Sequence, residues 1–388
     1  VVSFGDYQIE LYLAALSGVL PPHPFTFADL ERDALAALPP ELRTYVAGGS
    51  GDESTQRGNV EAFERWALVP RMLAGAAERN LSVELFGKRL TSPLMMAPVG
   101  VIGICTPDQH GDIATAQVSA QTGVPMIAST LMSDPLEEVV SHTGETPSWF
   151  QLYTPKDRDL AASLVTRAEQ AGYDAIVVTL DTWVPGWRPR DLASGNFPQL
   201  RGKALANYTS DPVFQSMTGP DPDLATTVLT WVGTFGNPLS WDDLPWLRSL
   251  TDLPLVLKGI CHPEDARRAL DGGVDGIYVS NHGGRQANGG GSALQWLPGV
   301  VDVVREHGAA PVIFDSGVRT GADVVKAVAL GADAVAVGRP YAYGLALGGV
   351  PGAVHVLRSL QAEADLVMAV DGYATLADLT RDALVRCD

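Results

Sequence analysis

The run Ser280-Asn281-His282-Gly283-Gly284-Arg285-Gln286 sets an imidazole and a guanidinium three residues apart with only glycines between them. It follows directly on the apolar stretch Gly276-Ile277-Tyr278-Val279. A histidine accepts a proton near neutral pH, and a guanidinium grips a carboxylate at two points. Together they suit the oxidation of a 2-hydroxy acid, which needs a proton taken from one end and the carboxylate held at the other. A loop histidine beside a surface arginine would be the plainer explanation of either residue alone. Their place at the end of a buried strand favours chemistry, because barrel enzymes keep it at strand C-termini.

Other apolar runs also end in polar residues. They are Gln151-Leu152-Tyr153, Thr179-Leu180-Asp181, the run carrying Lys258, Asp315-Ser316-Gly317-Val318-Arg319, and Gly338-Arg339. Lys258 or Asp181 buried without a partner would cost several kcal/mol, so each predicts an answering charge or ligand. Gly317, Gly338 and a helix start at Gly321 offer backbone N–H groups, and Arg319 and Arg339 offer charge, which together predict a phosphate site. No strand is followed by Gly-x-Gly-x-x-Gly with an acidic residue downstream, so a dinucleotide fold is not expected. A single terminal phosphate points to FMN.

Eight β-branched, apolar runs position these residues: 93–100, 124–130, 149–153, 175–181, 255–260, 276–282, 311–317 and 334–340. Near-continuous hydrophobic strands alternating with helical stretches predict a parallel sheet covered on its outside, and eight of them predict an α/β fold of the closed (β/α)8 TIM-barrel type. Helices are expected over 161–171, stopped by Gly172, and over 321–330, stopped by Gly331. Strand starts recur every ~20 to 35 residues, as βα units require. The gap of about 80 between the fourth and fifth breaks that rhythm. It predicts an insertion over about 182–250, whose Pro-, Gly- and Asp-rich stretch 210–223 reads as part of a lid. About 90 residues precede the barrel and are expected to form a helical cap, with 27–38 amphipathic and stopped by Pro39-Pro40. The whole chain, 1–388, reads as a single domain.

A net charge of −18 excludes nucleic acid and anionic membrane as partners, since both require a basic face. Three cysteines without a Cys-x-x-Cys spacing predict neither a disulfide framework nor a zinc site, and no other metal is expected. With no apolar run near the ~20 residues of a membrane helix and no basic-then-apolar N-terminal segment, a cytoplasmic location is expected.

With these residues in view, the chain resembles the FMN-dependent L-2-hydroxy-acid oxidising family from about Phe25 to Leu384. Ser-Asn-His-Gly-Gly-Arg-Gln, Phe150-Gln151-Leu152-Tyr153, Leu257-Lys258-Gly259 and Asp315-Ser316-Gly317-Val318-Arg319-Thr320-Gly321 carry the resemblance. Within the family it is most similar to the lactate 2-monooxygenases, through Tyr45-Val46-Ala47-Gly48-Gly49, Asp181-Thr182-Trp183, Gly186-Trp187-Arg188-Pro189-Arg190-Asp191 and Gly338-Arg339-Pro340-Tyr341-Ala342. The resemblance implies L-lactate and O2 as reactants, acetate as product, and a homo-oligomer, tetramer or octamer. A plain oxidase releasing the 2-oxo acid and peroxide, or a quinone-linked dehydrogenase, shares the same residues.

Carried onto this sequence, the resemblance makes His282 the base and Asp181 its orienting carboxylate. Arg285, Arg188 and Tyr45 would hold the substrate carboxylate, Tyr153 the reacting oxygen, and Lys258 the flavin N1 and C2 oxygen. Pro98, Val99, Gly100, Ser129, Gln151, Thr179 and Ser280 would surround the isoalloxazine, with Asp315, Gly317, Arg319, Gly338 and Arg339 along the rest of the cofactor. Gly100 stands where the family's oxidases usually carry alanine.

Overall fold

The computed structural model describes residues 3–387. All eight expected strands are present: Leu94–Met96, Met126–Ser129, Ser148–Leu152, Ala175–Thr179, Leu255–Lys258, Gly276–Val279, Val312–Phe314 and Ala334–Val337. Each lies within its expected range except the third, which begins one residue early at Ser148. They pair in parallel, in sequence order, and the eighth closes on the first through Val335↔Leu94. Every strand residue is buried, because one face points into the barrel and the other meets the helices. That double burial is why the runs are continuously apolar rather than alternating. Inward-facing Met95, Ile127, Trp149, Val256, Tyr278 and Ile313 fill the interior as a packed core.

The cap differs from a purely helical one. Helices Asp6–Leu16, Phe27–Ala37, Pro40–Ala47 and Ser54–Glu64 are followed by a strand, Trp66–Leu68, that pairs antiparallel with Leu384–Arg386 near the other end of the chain. Next comes a hairpin, Val83–Leu85 with Lys88–Leu90, whose Leu85 and Leu90 join the interior core and whose Phe86 lies 5.4 Å from Trp149. The hairpin plugs the barrel end opposite the catalytic mouth, and each buried leucine contributes about 1.5–3 kcal/mol. Its short strands and Phe86-Gly87 turn give only a weak local signal, so the helical reading missed it.

Helix Arg158–Ala171 begins three residues before the expected Ala161, because the Asp157 side chain accepts from Leu160 N and caps it there. Helix Gly321–Ala329 starts as expected, within a Thr320/Asp323 capping box.

The insertion between the fourth and fifth strands is a chain of short helices. Its stretch 210–223 does not cover the mouth. Asp211 bonds to Ser163 and Arg167 on helix Arg158–Ala171, and Phe214 packs on Tyr208 at 5.5 Å, so this stretch lies along the barrel's flank. The residues of the insertion that do reach the mouth come from 182–199 and from helix Leu224–Thr234 with the following Phe235. Among the described residues, no helix is long and apolar enough to cross a membrane.

Candidate active site

His282 lies three residues beyond the sixth strand with its backbone in the left-handed region, φ 58°, a conformation that disfavours any residue with a Cβ. Ser280 Oγ accepts from His282 N at 3.0 Å, and Ser316 Oγ accepts from Gly283 N at 3.0 Å, which holds the turn. A Cβ on Gly284 would stand 2.6 Å from the backbone N of Gln56. Glycine therefore lets the cap helix Ser54–Glu64 seat directly on the catalytic loop. Asn59 and Asn281 exchange two side-chain hydrogen bonds of 2.8 Å across the same seam.

Asp181 Oδ1 is 2.9 Å from His282 Nδ1, and Thr182 Oγ1 donates to the same carboxylate oxygen at 2.9 Å. Burial alone would raise the Asp181 pKa, but the charges of His282 and Lys258 outweigh it and hold the carboxyl at about 2. Burial moves His282 below its ordinary value against the pull of Asp181. Near neutral pH the pair is thus a carboxylate and a neutral imidazole. With Nδ1–H donated to Asp181, the basic lone pair is on Nε2.

Arg285 Nη1 donates to Gly48 O at 2.5 Å and Val46 O at 3.3 Å. Arg188 donates to Arg285 O at 3.0 Å and to Gln286 Oε1 at 2.6 Å. The Tyr45 ring lies 5.2 Å from the Arg285 guanidinium and 5.8 Å from that of Arg188. All these hydrogen bonds go to carbonyl or amide oxygens and none to a carboxylate. Burial first, and then Arg188 and Arg339, pull the Arg285 pKa down to about 9. Cations crowded together in a low-dielectric site are stabilised by an anion entering between them.

A second cationic end lies at strands seven and eight. Gly317 has φ 93°, and a Cβ there would stand 2.2 Å from Asn59 O. Arg319 stacks on Phe27 at 4.3 Å, and Arg339 donates to Ala47 O at 3.4 Å and Gly48 O at 3.3 Å. Burial, then Arg319, lowers Arg339 to about 10. Gly338 caps the helix that begins at Arg339 without any side-chain cap, which leaves its first N–H groups for an anion. The helix start at Gly321 is not such a donor, contrary to the sequence reading. Its N–H is bonded to Glu363 Oε2 at 2.7 Å, and its Cα is packed so closely that a Cβ would stand 2.3 Å from Ala364 N.

Between the two ends, Pro98, Val99 and Gly100 line the cavity beside Lys258 and Asp315. Lys258 Nζ donates to Ser280 Oγ at 2.9 Å and lies 3.6 Å from Asp315 Oδ2, so the buried charge has its partner. Ser129, Gln151 and Thr179 stand behind this lining, with Ser129 Oγ 3.1 Å from Gln151 Oε1. Gln151 Nε2 and Thr179 Oγ1 are buried with no hydrogen-bond partner. An unanswered amide donor and hydroxyl fit a ring edged with carbonyl oxygens and ring nitrogens, and the free helix start with two arginines fits its phosphate. One continuous cavity runs from Tyr45, Arg188 and Arg285 past His282 and Lys258 to Gly317, Arg319 and Arg339, the arrangement that a mononucleotide with a small acid beside it requires.

The side chains expected to be catalytic therefore lie at one mouth, although Tyr45 and Arg285 are far apart in the chain. Sequence reasoning missed Thr182, Gln286, Phe197, Gln199, Trp231 and Phe235. Gln286 was visible in the glycine-rich run but had no assigned partner; it bridges Arg188, Asp181 O and Val184 O. The other insertion residues carry no local pattern that announces a pocket wall. Among the described residues, no cluster of His, Cys, Asp and Glu could hold a metal.

A cavity of this kind can hold a carboxylate, take a proton from the neighbouring carbon or hydroxyl, and pass two electrons to a phosphate-anchored ring. That is the work of a flavin-dependent oxidoreductase built on a (β/α)8 barrel. The family model for FMN-dependent dehydrogenases matches residues 34–386, and the chain belongs to that family. It is 41% identical over 367 residues to an L-lactate oxidase of Lysinibacillus sphaericus (strain C3-41), covering 95% of this chain and 94% of that protein. It is also 41% identical over 392 residues to the FMN-dependent alpha-hydroxy acid dehydrogenase qulF of Penicillium citrinum, covering 99% and 96%. The solved structure of an oxidized active mutant of (S)-mandelate dehydrogenase superposes with a TM-score of 0.84 at 33% identity, covering 94% of this chain and 99% of that one. The protein is an FMN-dependent 2-hydroxy-acid oxidoreductase.

With the FMN phosphate proposed for the cationic end at strands seven and eight, Arg339→Ala removes a charge-assisted contact worth about 1.5–3 kcal/mol and is expected to lower FMN occupancy of the purified protein. Flavin released by denaturation and quantified against protein measures this.

Proposed function

We propose that the protein oxidises L-lactate, with O2 as final acceptor, and carries pyruvate on to acetate, CO2 and water before releasing it. In this reading Arg285, Arg188 and Tyr45 hold the substrate carboxylate, and Tyr153 donates to the oxygen that becomes the carbonyl. Burial and the nearby Asp181 raise the Tyr153 pKa, so its phenol keeps its proton as a donor. His282 Nε2 takes the substrate proton, while Asp181 fixes the tautomer and stabilises the imidazolium that forms. FMN, when bound, would supply the two-electron acceptor and the electrons for O2, and Lys258 would hold a positive charge beside it.

The observation that carries the monooxygenase reading is the aromatic cluster that lines the same cavity as His282. Trp231 and Phe235 lie 4.9 Å apart, Phe197 is 6.5 Å from Trp231, and Phe235 is 5.6 Å from Tyr153. Such a cluster slows the exit of pyruvate, and peroxide formed beside it can then convert pyruvate to acetate, CO2 and water. At Gly100 a Cβ would stand 3.3 Å from Leu131 Cβ and 3.5 Å from Ser129 Oγ, so glycine lets this part of the cavity wall pack without crowding those side chains. The alternative, an oxidase that releases pyruvate and H2O2, is favoured by the similarity to lactate oxidases.

Product analysis under air, with purified protein, L-lactate and no catalase, separates the two. Acetate and CO2 with little peroxide is the expected result; stoichiometric pyruvate and H2O2 would leave the oxidase reading. Trp231→Ala is expected to shift products toward pyruvate and peroxide. Trimming the 219–223 turn, which lies on the barrel flank, is expected to leave the ratio unchanged.

A further inference from the structure

The Tyr45 ring lies close to two guanidiniums, and among the described residues the one side-chain hydrogen-bond partner of its hydroxyl is Gln199, whose Nε2 donates to the phenol oxygen at 3.5 Å. Gln199 is completely buried, lines the same cavity, and arrives from the insertion on the 3-10 turn Pro198–Arg201. Its own Oε1 has no hydrogen-bond partner. A phenol oxygen that accepts from an amide has its proton free to point elsewhere. Tyr45 lines the same cavity, and there the guanidiniums of Arg285 and Arg188, 5.2 and 5.8 Å from its ring, favour an anion.

We propose that Gln199 is a positioning residue that turns the Tyr45 hydroxyl proton toward the substrate carboxylate, tying substrate affinity to the seating of the insertion. This rests on the carboxylate site assigned above. The amide is neutral, so it orients the phenol without competing for the anion. A glutamate in its place would do both wrong things: its carboxylate accepts the Tyr45 proton, and its charge repels the substrate.

The test is anaerobic flavin reduction by L-lactate in the holoenzyme, which separates the apparent dissociation constant from the limiting rate. Gln199→Leu is expected to weaken lactate binding roughly three- to tenfold, the range of one hydrogen bond, with the limiting rate changed by less. Gln199→Glu is expected to weaken it further, with recovery as the pH falls and the new carboxyl is protonated. Tyr45→Phe supplies the control. In that background Gln199→Leu is expected to have no additional effect on affinity, because the two side chains act through one hydrogen bond. Full additivity of the two changes, or unaltered affinity in Gln199→Leu, overturns the proposal. Unaltered affinity in Tyr45→Phe overturns instead the assignment of Tyr45 to the substrate carboxylate.

Discussion

His282→Ala is expected to purify yellow and to lose about 10²- to 10⁴-fold in the rate of anaerobic flavin reduction by L-lactate, the range that a positioned general base contributes. The flavin is expected to stay because the proposed phosphate end, at Gly338, Arg319 and Arg339, is built from strands seven and eight and does not use the imidazole. The pH profile gives a second reading of the same residue. His282 acts as a base only when neutral, and burial places its pKa below the ordinary histidine value. Wild-type reduction is therefore expected to rise with pH through a range below about 6.5 and then level off. That limb should be missing from the variant's residual activity. Near-normal reduction by His282→Ala would falsify the assignment of the base.

Arg285→Lys is expected to be nearly as damaging, chiefly in substrate affinity, although it keeps the charge. A charge-assisted fork is worth about 1.5–3 kcal/mol, roughly a ten- to 150-fold loss, and an ammonium cannot reproduce its geometry. The guanidinium has a second task here, since it also donates to Val46 O and Gly48 O in the cap. A lysine cannot hold both the substrate and the cap carbonyls, so the limiting rate is expected to fall as well. Anaerobic titration with lactate measures both quantities. Wild-type affinity in Arg285→Lys would mean that a point charge suffices and that the fork is not used.

The barrel was legible because double burial leaves an unmistakable mark: eight short apolar runs, of which the last six carry or end in polar residues that a purely structural strand would not need. Asp181, Lys258, His282 and Arg285 stood out for that reason, as did the glycine and arginine pairs at the last two strands. The reading failed where the deciding contact is remote. Gly321 opens a helix and looks like a phosphate donor until Glu363, from the long C-terminal helical run, takes its N–H. The stretch 210–223 has the composition of a lid, yet Asp211 is drawn to Arg167 and Ser163 on the barrel's flank. The hairpin at 83–90 is too short to be recognised locally and is stabilised only by the open barrel end it fills.

Strand count, parallel closure and the chemical identity of the residues at the mouth were thus all written in the chain. Local burial patterns and turn residues suffice for the first two, and residue type for the third. Folding then settled which of those residues share one cavity, which backbone donors remain free, and which insertion residues line that cavity. Those outcomes depend on contacts between segments far apart in the chain, such as Gln199 with Tyr45 or Gln56 with Gly284, whose energies exist only once the barrel has brought them within reach.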